Sequence, residues 1–244
     1  MAAFYLVRMP GKDWNGNYDK TDGYYYCDAN QVGGNYCPEF DIMEANQWVS
    51  QTTPHKCNAP SSKGHYDYCD RGGNGWLNTK DQVGYNDYGP GSSFAINTLQ
   101  TFHVKIDFPE SNGSFSGYNI YFTQNGNEVS MHSNNSWYDA DMTDDMNNMV
   151  FAISNWSTFD TWLWGDRCQA QTCNSQQLLF TNIAITTGGA GPGPSPTPSN
   201  YTYGDACSSP YDDYCNGSCD CCWSWPSDDP AQWASSNAAC RCKN

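Results

Sequence analysis

Positive charge is scarce in this chain. Eleven lysines and arginines stand against 26 aspartates and glutamates in 244 residues, which gives a formal net charge of −15. Nucleic acids and anionic membranes both carry dense negative charge and would repel such a surface. The composition therefore argues against nucleic acid and membrane as partners, whereas a neutral polysaccharide is indifferent to the charge.

Long apolar runs and helical periodicity are also missing. The chain has no run of about eighteen apolar residues, so we expect no transmembrane helix. Apolar residues do not recur at a helical period, except for a turn at residues 141–148. We expect no signal peptide before Ala2, because Met1 opens directly into a segment with the character of an internal strand.

Cysteine, in contrast, is abundant, with 13 residues. So many cysteines indicate disulfide bonds and an oxidising compartment, and we expect a secreted, extracellular protein although this chain shows no signal peptide. The four histidines, at positions 55, 65, 103 and 132, do not have the spacing of metal ligands. We therefore expect no metal and no other cofactor.

The middle of the chain has the pattern of β-strands. Residues 102–108 alternate apolar and polar side chains, which gives one buried and one exposed face. Residues 118–123 and 128–131 flank Asn125-Gly126, a strong hairpin signal. Residues 149–154 and 178–186 supply two more predicted strands. We predict an all-β protein.

Three carboxylates lie close together in the stretch P-E-F-D-I-M-E-A-N at residues 38–46. Side chains alternate faces along a strand, so Glu39 and Asp41 share one face. Glu44 has the wrong parity and joins them only if a β-bulge adds one residue after Asp41. The pattern predicts a bulged strand that aims three acids into one groove.

Clustered acids suit the cleavage of glycosidic bonds with retention of configuration. That reaction needs an ionised carboxylate as nucleophile and a protonated carboxyl as acid, roughly 5–5.5 Å apart. Repulsion and partial burial keep one of the two protonated. A solvated acidic edge strand and a calcium site are the alternatives, although the interleaved residues are apolar and no EF-hand spacing is present.

The motif E-F-D-I-M-E resembles the E-x-D-x-x-E signature shared by glycoside hydrolase families 7 and 16. The surroundings are similar to family 7: E-A-N followed by T-P-H-K-C at 53–57, Y-G-P-G-S-S-F at 88–94, A-F-Y-L-V-R-M at 3–9, and S-N-W and L-W at 154–156 and 163–164. The resemblance is collinear from about residue 2 to 187. It implies a concanavalin-like curved β-sandwich, or jelly roll, without the N-terminal strands of the family.

By this resemblance Glu39 is the nucleophile, Glu44 the acid/base and Asp41 the orienting partner. Met43 stands where the family commonly has tryptophan, and we expect it to face away from the acids. The resemblance also implies disulfide bonds within three pairs of cysteines: Cys27 with Cys37, Cys57 with Cys69, and Cys168 with Cys173. Sequence alone permits fifteen connectivities for these six residues.

The resemblance implies several substrate-binding residues, each with a structural alternative. Trp156 and Trp164 would stack on sugar rings but could be core residues, and the family's spacing between them is shortened here by one residue. Tyr5 could donate a hydrogen bond to the nucleophile or could simply pack. His55 could line the cleft beside Glu44, or could be structural. Three further candidates remain. Asp28 and Asn30 lie just after Cys27 and could instead serve a turn, and Lys80 stands where the family has an arginine.

We predict three regions: a catalytic domain at 1–187, a Pro/Gly/Ser linker at 188–200, and a cysteine-rich module at 201–244. Forty-four residues need disulfides to fold, and the tail has seven cysteines and three tryptophans. The tail therefore suggests a carbohydrate-binding module, with a zinc knuckle or a protein-docking module as alternatives.

The sequence predicts a monomeric, retaining, endo-acting β-1,4-glucanase that binds cellulose. Endo action follows from the resemblance, because the chain between Trp76 and Trp156 is shorter than in the tunnel enzymes of family 7. Two alternatives stay open: a non-catalytic carbohydrate-binding or wall protein, and a family 16-like enzyme that cuts β-1,3 or mixed-linked glucan.

Overall fold

The computed structural model describes residues 1–18, 25–133, 140–155 and 179–186. Residues 1–180 form one unit, and beyond them the described residues are 181–186. The linker and the cysteine-rich module, which were predicted at 188–200 and 201–244, lie outside the described residues.

Two antiparallel sheets account for most of the described strands. The five-stranded sheet has the order β12-β1-β2-β3-β4 and the three-stranded sheet the order β11-β10-β7. The bounds in the first sheet are Val150–Asn155, Ala2–Val7, Glu39–Ala45, Ser50–His55 and Leu77–Asn78; those in the second are Asn127–Ser133, Tyr118–Gln124 and His103–Asp107. The all-β prediction is confirmed.

Short elements connect these strands. Two small ladders are β5 with β6, at Tyr88–Gly89 and Ile96–Asn97, and β8 with β9, at Glu110–Ser111 and Ser114–Phe115. The described helices are α1, Thr79–Gln82, and α2, Ala140–Asp145. Both are far too short to cross a membrane, and no described helix meets that requirement. The helical turn predicted near residue 141 is confirmed as α2.

The core lies where the two sheets face each other. From β2 it takes Phe40, Ile42 and Met43, and from β10 it takes Tyr118 and other rings. The rings of Phe40 and Tyr118 meet edge to face, with centroids 5.1 Å apart. Since these residues of β2 point into the core, its carboxylates point to the opposite side, which we call the outer face. The expectation that Met43 faces away from the acids is confirmed.

A second apolar cluster covers the outer face of β1. It joins Ala3, Tyr5 and Val7 to loops that are held by disulfide bonds. Cys27 is bonded to Cys37 and Cys57 to Cys69, as the resemblance implied. The third implied pair, Cys168 with Cys173, lies outside the described residues. These loops bring chain segments from before and after β2 onto the same face as the carboxylates.

One strand prediction is partly wrong. Residues 179–186, within the predicted strand 178–186, have no strand assignment. Ile183 and Ile185 are 53% and 70% exposed. The alternating pattern of the segment fits a strand, but a strand forms only with a neighbour that accepts its backbone hydrogen bonds. The Asn125-Gly126 hairpin, in contrast, is confirmed, with both residues at positive φ between β10 and β11.

Candidate active site

A β-bulge in β2 brings the three acids to one face. On one side Phe4 pairs with Met43 and Tyr5 with Asp41, so Ile42 has no partner of its own. On the other side the register also shifts between Asp41 and Glu44. Ile42 and Met43 both enter the core, and this returns Glu44 to the outer face. The predicted bulge is confirmed.

Glu39 is fixed by the disulfide-bonded loop that precedes β2. It is only 6% exposed, and its Oε2 accepts a hydrogen bond of 2.9 Å from the backbone N–H of Ala29. Burial raises the pKa of Glu39 well above its usual range, and the neighbouring Asp41 charge raises it further. The Ala29 amide acts in the opposite direction, because it stabilises the ionised form and holds the carboxylate in place.

Asp41 and His55 share a proton between them. His55 Nδ1 lies 2.7 Å from the carbonyl oxygen of Asp70, which can only accept, so Nδ1 carries a hydrogen. His55 Nε2 lies 2.9 Å from Asp41 Oδ2. One proton must therefore lie between Nε2 and Oδ2, either as a carboxylic acid facing neutral imidazole or as a carboxylate facing imidazolium. Burial raises the pKa of Asp41 to about 8, and this favours keeping that proton.

The position of His55 corrects an expectation. The sequence suggested a place beside Glu44, but the strand register puts Gln51 opposite Glu44 and His55 opposite Glu39. His55 is 5% exposed and both ring nitrogens are engaged. It is therefore built to position Asp41, and its ring nitrogens are not free to bind substrate.

Asp28 stabilises a turn, which is one of the two roles predicted for it. Its Oδ1 accepts hydrogen bonds from the backbone N–H groups of Asn30 and Val32, at 2.9 and 3.0 Å. The carboxylate is nevertheless 3% exposed, and its charge raises the pKa values of Glu39 and Asp41. Asp28 thus influences the two acids through its negative charge. Asn30 is exposed.

Tyr5 lies on the outer face opposite Asp41, and its hydroxyl bonds to another tyrosine. It lies 3.0 Å from the hydroxyl of Tyr26. The predicted hydrogen bond to Glu39 is not the contact formed; Glu39 affects Tyr5 only through its charge, which together with the larger effect of burial raises the pKa of Tyr5. Tyr26 was not predicted, because no sequence pattern reveals which loop tyrosine will pack beside β1.

The remaining predicted residues are spread along the sheet. Glu44 is half-buried at the bulge. Lys80 is exposed in α1, which follows β4 at the edge of the five-stranded sheet, and its backbone N–H is capped by Asn78. Trp156 and Trp164 lie outside the described residues.

Amide side chains next to Glu44 were missed by the sequence analysis. Gln51 pairs with Glu44 across the ladder and accepts a hydrogen bond of 2.9 Å from the Nδ2 of Asn78. Gln51 also donates to the Thr53 hydroxyl at 3.1 Å. Alternation along 50–55 could have placed Gln51 and Thr53 on one face with His55, but it could not have named their partners.

The buried acids also meet the distance requirement for a cation. Glu39, Asp41 and His55 each offer one ligand atom, and these atoms lie within 4.8 Å of one another. Glu39 Oε2 already accepts the Ala29 amide, and Asp41 Oδ2 and His55 Nε2 are already in hydrogen-bond contact with each other.

We expect the stability of the protein to decrease as the pH rises from about 5 to 9. The pKa of Asp41 is raised to about 8 and that of Asp145 to about 7, both mainly by burial. A buried acid with a raised pKa stabilises the fold fully below its unfolded pKa, and the contribution is lost as the pH rises through the folded value. Thermal melts of Asp41→Asn should show a smaller decrease, by at least about 4 °C.

Asparagine suits this test because its amide can donate to His55 Nε2 as the protonated carboxyl does. Asp87→Asn is a matched control, since Asp87 only accepts a loop N–H at Gly84. Parallel melting profiles for the wild type and Asp41→Asn would mean that Asp41 is not the group that titrates.

The paired sheets and the carboxylates on their outer face define a β-sandwich of the glycoside hydrolase class. The sequence profile described as "Glycosyl hydrolase family 7" matches residues 15–178, more than half of the chain. The chain therefore belongs to glycoside hydrolase family 7. The resemblance drawn from the sequence is confirmed, and the family 16 alternative is not.

Curated relatives share the family but are longer. The chain is 32% identical over 155 residues to "Endoglucanase 1" of Humicola insolens, which covers 52% of this chain and 38% of the relative. It is 30% identical over 143 residues to "Endo-beta-1,4-glucanase celB" of Aspergillus oryzae, which covers 48% and 33% respectively. The chain thus spans well under half the length of these relatives.

Solved structures agree on the fold. "Endoglucanase I complexed with cellobiose" superimposes with a TM-score of 0.54 at 23% identity, over 69% of this chain and 57% of that one. A Humicola insolens glycosynthase mutant gives 0.53 at 23% identity, over 70% and 56%. At this identity the match establishes the β-sandwich alone.

Proposed function

We propose that the chain is a retaining, endo-acting β-1,4-glucanase. The observation that carries the proposal is the bulge in β2, which puts Glu39, Asp41 and Glu44 on one face of one strand. Glu39 would be the nucleophile, Glu44 the acid and base, and Asp41 a positioning residue. Membership of family 7 and the names of the curated relatives support β-1,4-glucan as the substrate.

The reaction would proceed in two displacements. Glu44 would donate its proton to the glycosidic oxygen while a carboxylate oxygen of Glu39 attacks the anomeric carbon, so that the glycosidic bond breaks and a glycosyl ester forms. Glu44, now ionised, would take a proton from water, whose oxygen then attacks the same carbon and releases Glu39. Two inversions give net retention, and both carboxyl groups return to their starting states.

The Asp41–His55 pair can remove one of the charges that raise the pKa of Glu39, the carboxyl that would have to ionise. With the pKa of Asp41 raised to about 8, Asp41 keeps its proton toward His55 at the mildly acidic pH at which such an enzyme would work. A neutral Asp41 adds no negative charge beside Glu39. Burial still raises the pKa of Glu39, and the Ala29 amide acts against that effect by stabilising the ionised carboxylate.

Several attributes accompany this proposal. Two disulfide bonds fit an extracellular location. The proposed organisation is a catalytic domain at 1–187, a linker at 188–200 and a carbohydrate-binding module at 201–244, in a monomer that binds cellulose. We also propose substrate contacts for Trp156, Trp164, Asn30 and Lys80.

A non-catalytic carbohydrate-binding protein is the second candidate. The observation that favours it is the length of the match, because the aligned region covers only 38% of the Humicola insolens endoglucanase. Any sugar contacts that the relative makes outside the aligned region would have no equivalent within that region. Such a protein would keep the buried acids without turning over substrate.

The test is hydrolysis of carboxymethylcellulose, mixed-linkage glucan and laminarin at about pH 5, with NMR of the anomer formed first. We expect a rapid loss of viscosity on the β-1,4 substrates and a β product. Activity on laminarin alone would overturn the linkage, and an α product would overturn retention. Cellulose binding and a cooperative melt without any hydrolysis would select the second candidate.

A further inference from the structure

Trp14 displays its indole ring from a tightly bonded turn. The residue is 66% exposed. Asp13 closes the turn, since its Oδ1 accepts hydrogen bonds from the backbone N–H groups of Asn15 and Asn17 at 2.8 and 2.9 Å. Gly16 completes the turn at φ +83°, in the left-handed region that favours glycine. The ring is thus held out in a defined position.

The imidazole of His65 supports the indole from below. The two ring centroids are 4.0 Å apart at an angle of 43°. His65 is itself buried, and its Nδ1 donates to the carbonyl oxygen of Lys12 at 2.6 Å. Because His65 holds the indole in place, Trp14 would lose little side-chain conformational entropy when a ligand binds to its free face.

A second turn packs against the turn of Trp14 and makes the surface continuous. A Cβ atom at Gly16 would lie 3.0 Å from the Cβ of Lys63, and one at Gly64 would lie 3.1 Å from the Nζ of Lys12. A side chain at Gly16 would crowd the Cβ and the carbonyl oxygen of Lys63, and one at Gly64 would displace the end of the Lys12 side chain. Glycine at these positions therefore lets the two turns pack closely and leaves room for Lys12 against the turn at residue 64.

A groove of about 250 Å³ continues from this surface. Three tyrosine rings, Tyr18, Tyr36 and Tyr66, line it together with Lys12 and Arg8. Its lining includes none of the three acids of β2. Aromatic faces and hydrogen-bond donors therefore meet in a groove that the candidate catalytic acids do not line.

We propose that the surface formed by Trp14, Lys12, Tyr18, Tyr36 and Tyr66, which we call the Trp14 platform, is a second binding site for a β-1,4-glucan chain. The flat apolar face of a β-linked pyranose matches an indole, and its equatorial hydroxyl groups can accept from Lys12 Nζ and bond to tyrosine hydroxyls. The identity of the glucan rests on the proposed function.

The net charge of −15 favours a neutral sugar over an acidic one. The guanidinium of Arg8 is paired with Asp144 at 2.8 Å, which leaves Lys12 as the cation in the groove that is not committed to a salt bridge among the described residues. Nucleic acid also stacks on aromatic rings, but the net charge of −15 would repel it.

The test uses the full chain carrying Glu39→Gln, which should prevent hydrolysis, with fluorotryptophan in place of its ten tryptophans. Trp14→Phe identifies the Trp14 line in the fluorine NMR spectrum. We expect that line to shift saturably with cellohexaose and not with maltohexaose, whose α-linkages curve the chain. A stationary Trp14 line while other lines shift would overturn the platform and leave the proposed function intact.

Adsorption to insoluble cellulose provides the second measurement. In the Glu39→Gln chain, Trp14→Ala should weaken adsorption at least about fivefold, whereas Tyr85→Ala, which removes a ring that is 67% exposed on another loop, should not. Equal adsorption of all three would overturn the inference. Binding at Trp14 by a chain whose wild type hydrolyses no glucan would support the platform while the proposed function fails.

Discussion

Glu39→Gln is expected to lower kcat on carboxymethylcellulose by at least about a thousandfold, since removal of a nucleophile abolishes the covalent route. The amide oxygen of glutamine can still accept the Ala29 N–H at the position of Oε2. The fold should therefore be retained, and kcat should fall while the melting temperature does not. Initial rates and thermal melts on the same preparations provide the check.

Glu39→Ala distinguishes a nucleophile from a residue that only supports the site. It leaves space for azide, which would attack the anomeric carbon of an activated cellobioside in a single displacement and yield the α-glycosyl azide. Glu110→Gln is a suitable control, because Glu110 is exposed on β8. A loss smaller than about tenfold in Glu39→Gln, or a β-azide from Glu39→Ala, would show that Glu39 is not the nucleophile.

The arrangement of β2 could be predicted because its signal is local. Alternation fixes which residues share a face, and the apolar character of residues 40, 42 and 43 leaves the acids only the opposite face. A bulge was then the only way to align Glu44, and the register confirms it. The hairpin at Asn125-Gly126 was predictable for the same reason, since the conformation of two residues determines the turn.

The partners of the acids could not be predicted, because they come from other segments of the chain whose pairing with β2 is not a local signal. Glu39 meets a backbone amide at Ala29, and a backbone amide has no sequence signature. Asp41 meets His55 because the register of β2 against β3 sets His55 opposite Glu39, five residues along β2 from the expected position beside Glu44. Disulfide bonds fold these loops onto the outer face, and sequence shows the cysteines but not the resulting contacts.

The failure at residues 179–186 has a related cause. Local alternation predicted a strand, but a strand also needs a neighbour, and burial of alternate residues supplies the free energy. Ile183 and Ile185 are largely exposed. Local pattern therefore predicted side-chain direction well and pairing poorly.

Glu44→Ala should show a loss of activity that depends on the leaving group. On carboxymethylcellulose kcat should fall by about a hundredfold or more, because the departing sugar needs a proton from the general acid. On dinitrophenyl cellobioside, whose leaving group departs without a proton, formation of the glycosyl ester should remain within about tenfold of the wild type. Pre-steady-state release of dinitrophenolate measures that step separately from the later hydrolysis.

The ester formed by Glu44→Ala should then accumulate, since no base activates water. Azide needs no base and should accelerate turnover to give the β-glycosyl azide, the opposite anomer to the one expected from Glu39→Ala. Gln51→Ala is the matched control, because Gln51 pairs with Glu44 but its amide cannot act as a general acid or base. If Glu44→Ala loses equal activity on both substrates, Glu44 is not the acid, and the bulge in β2 would then serve packing alone.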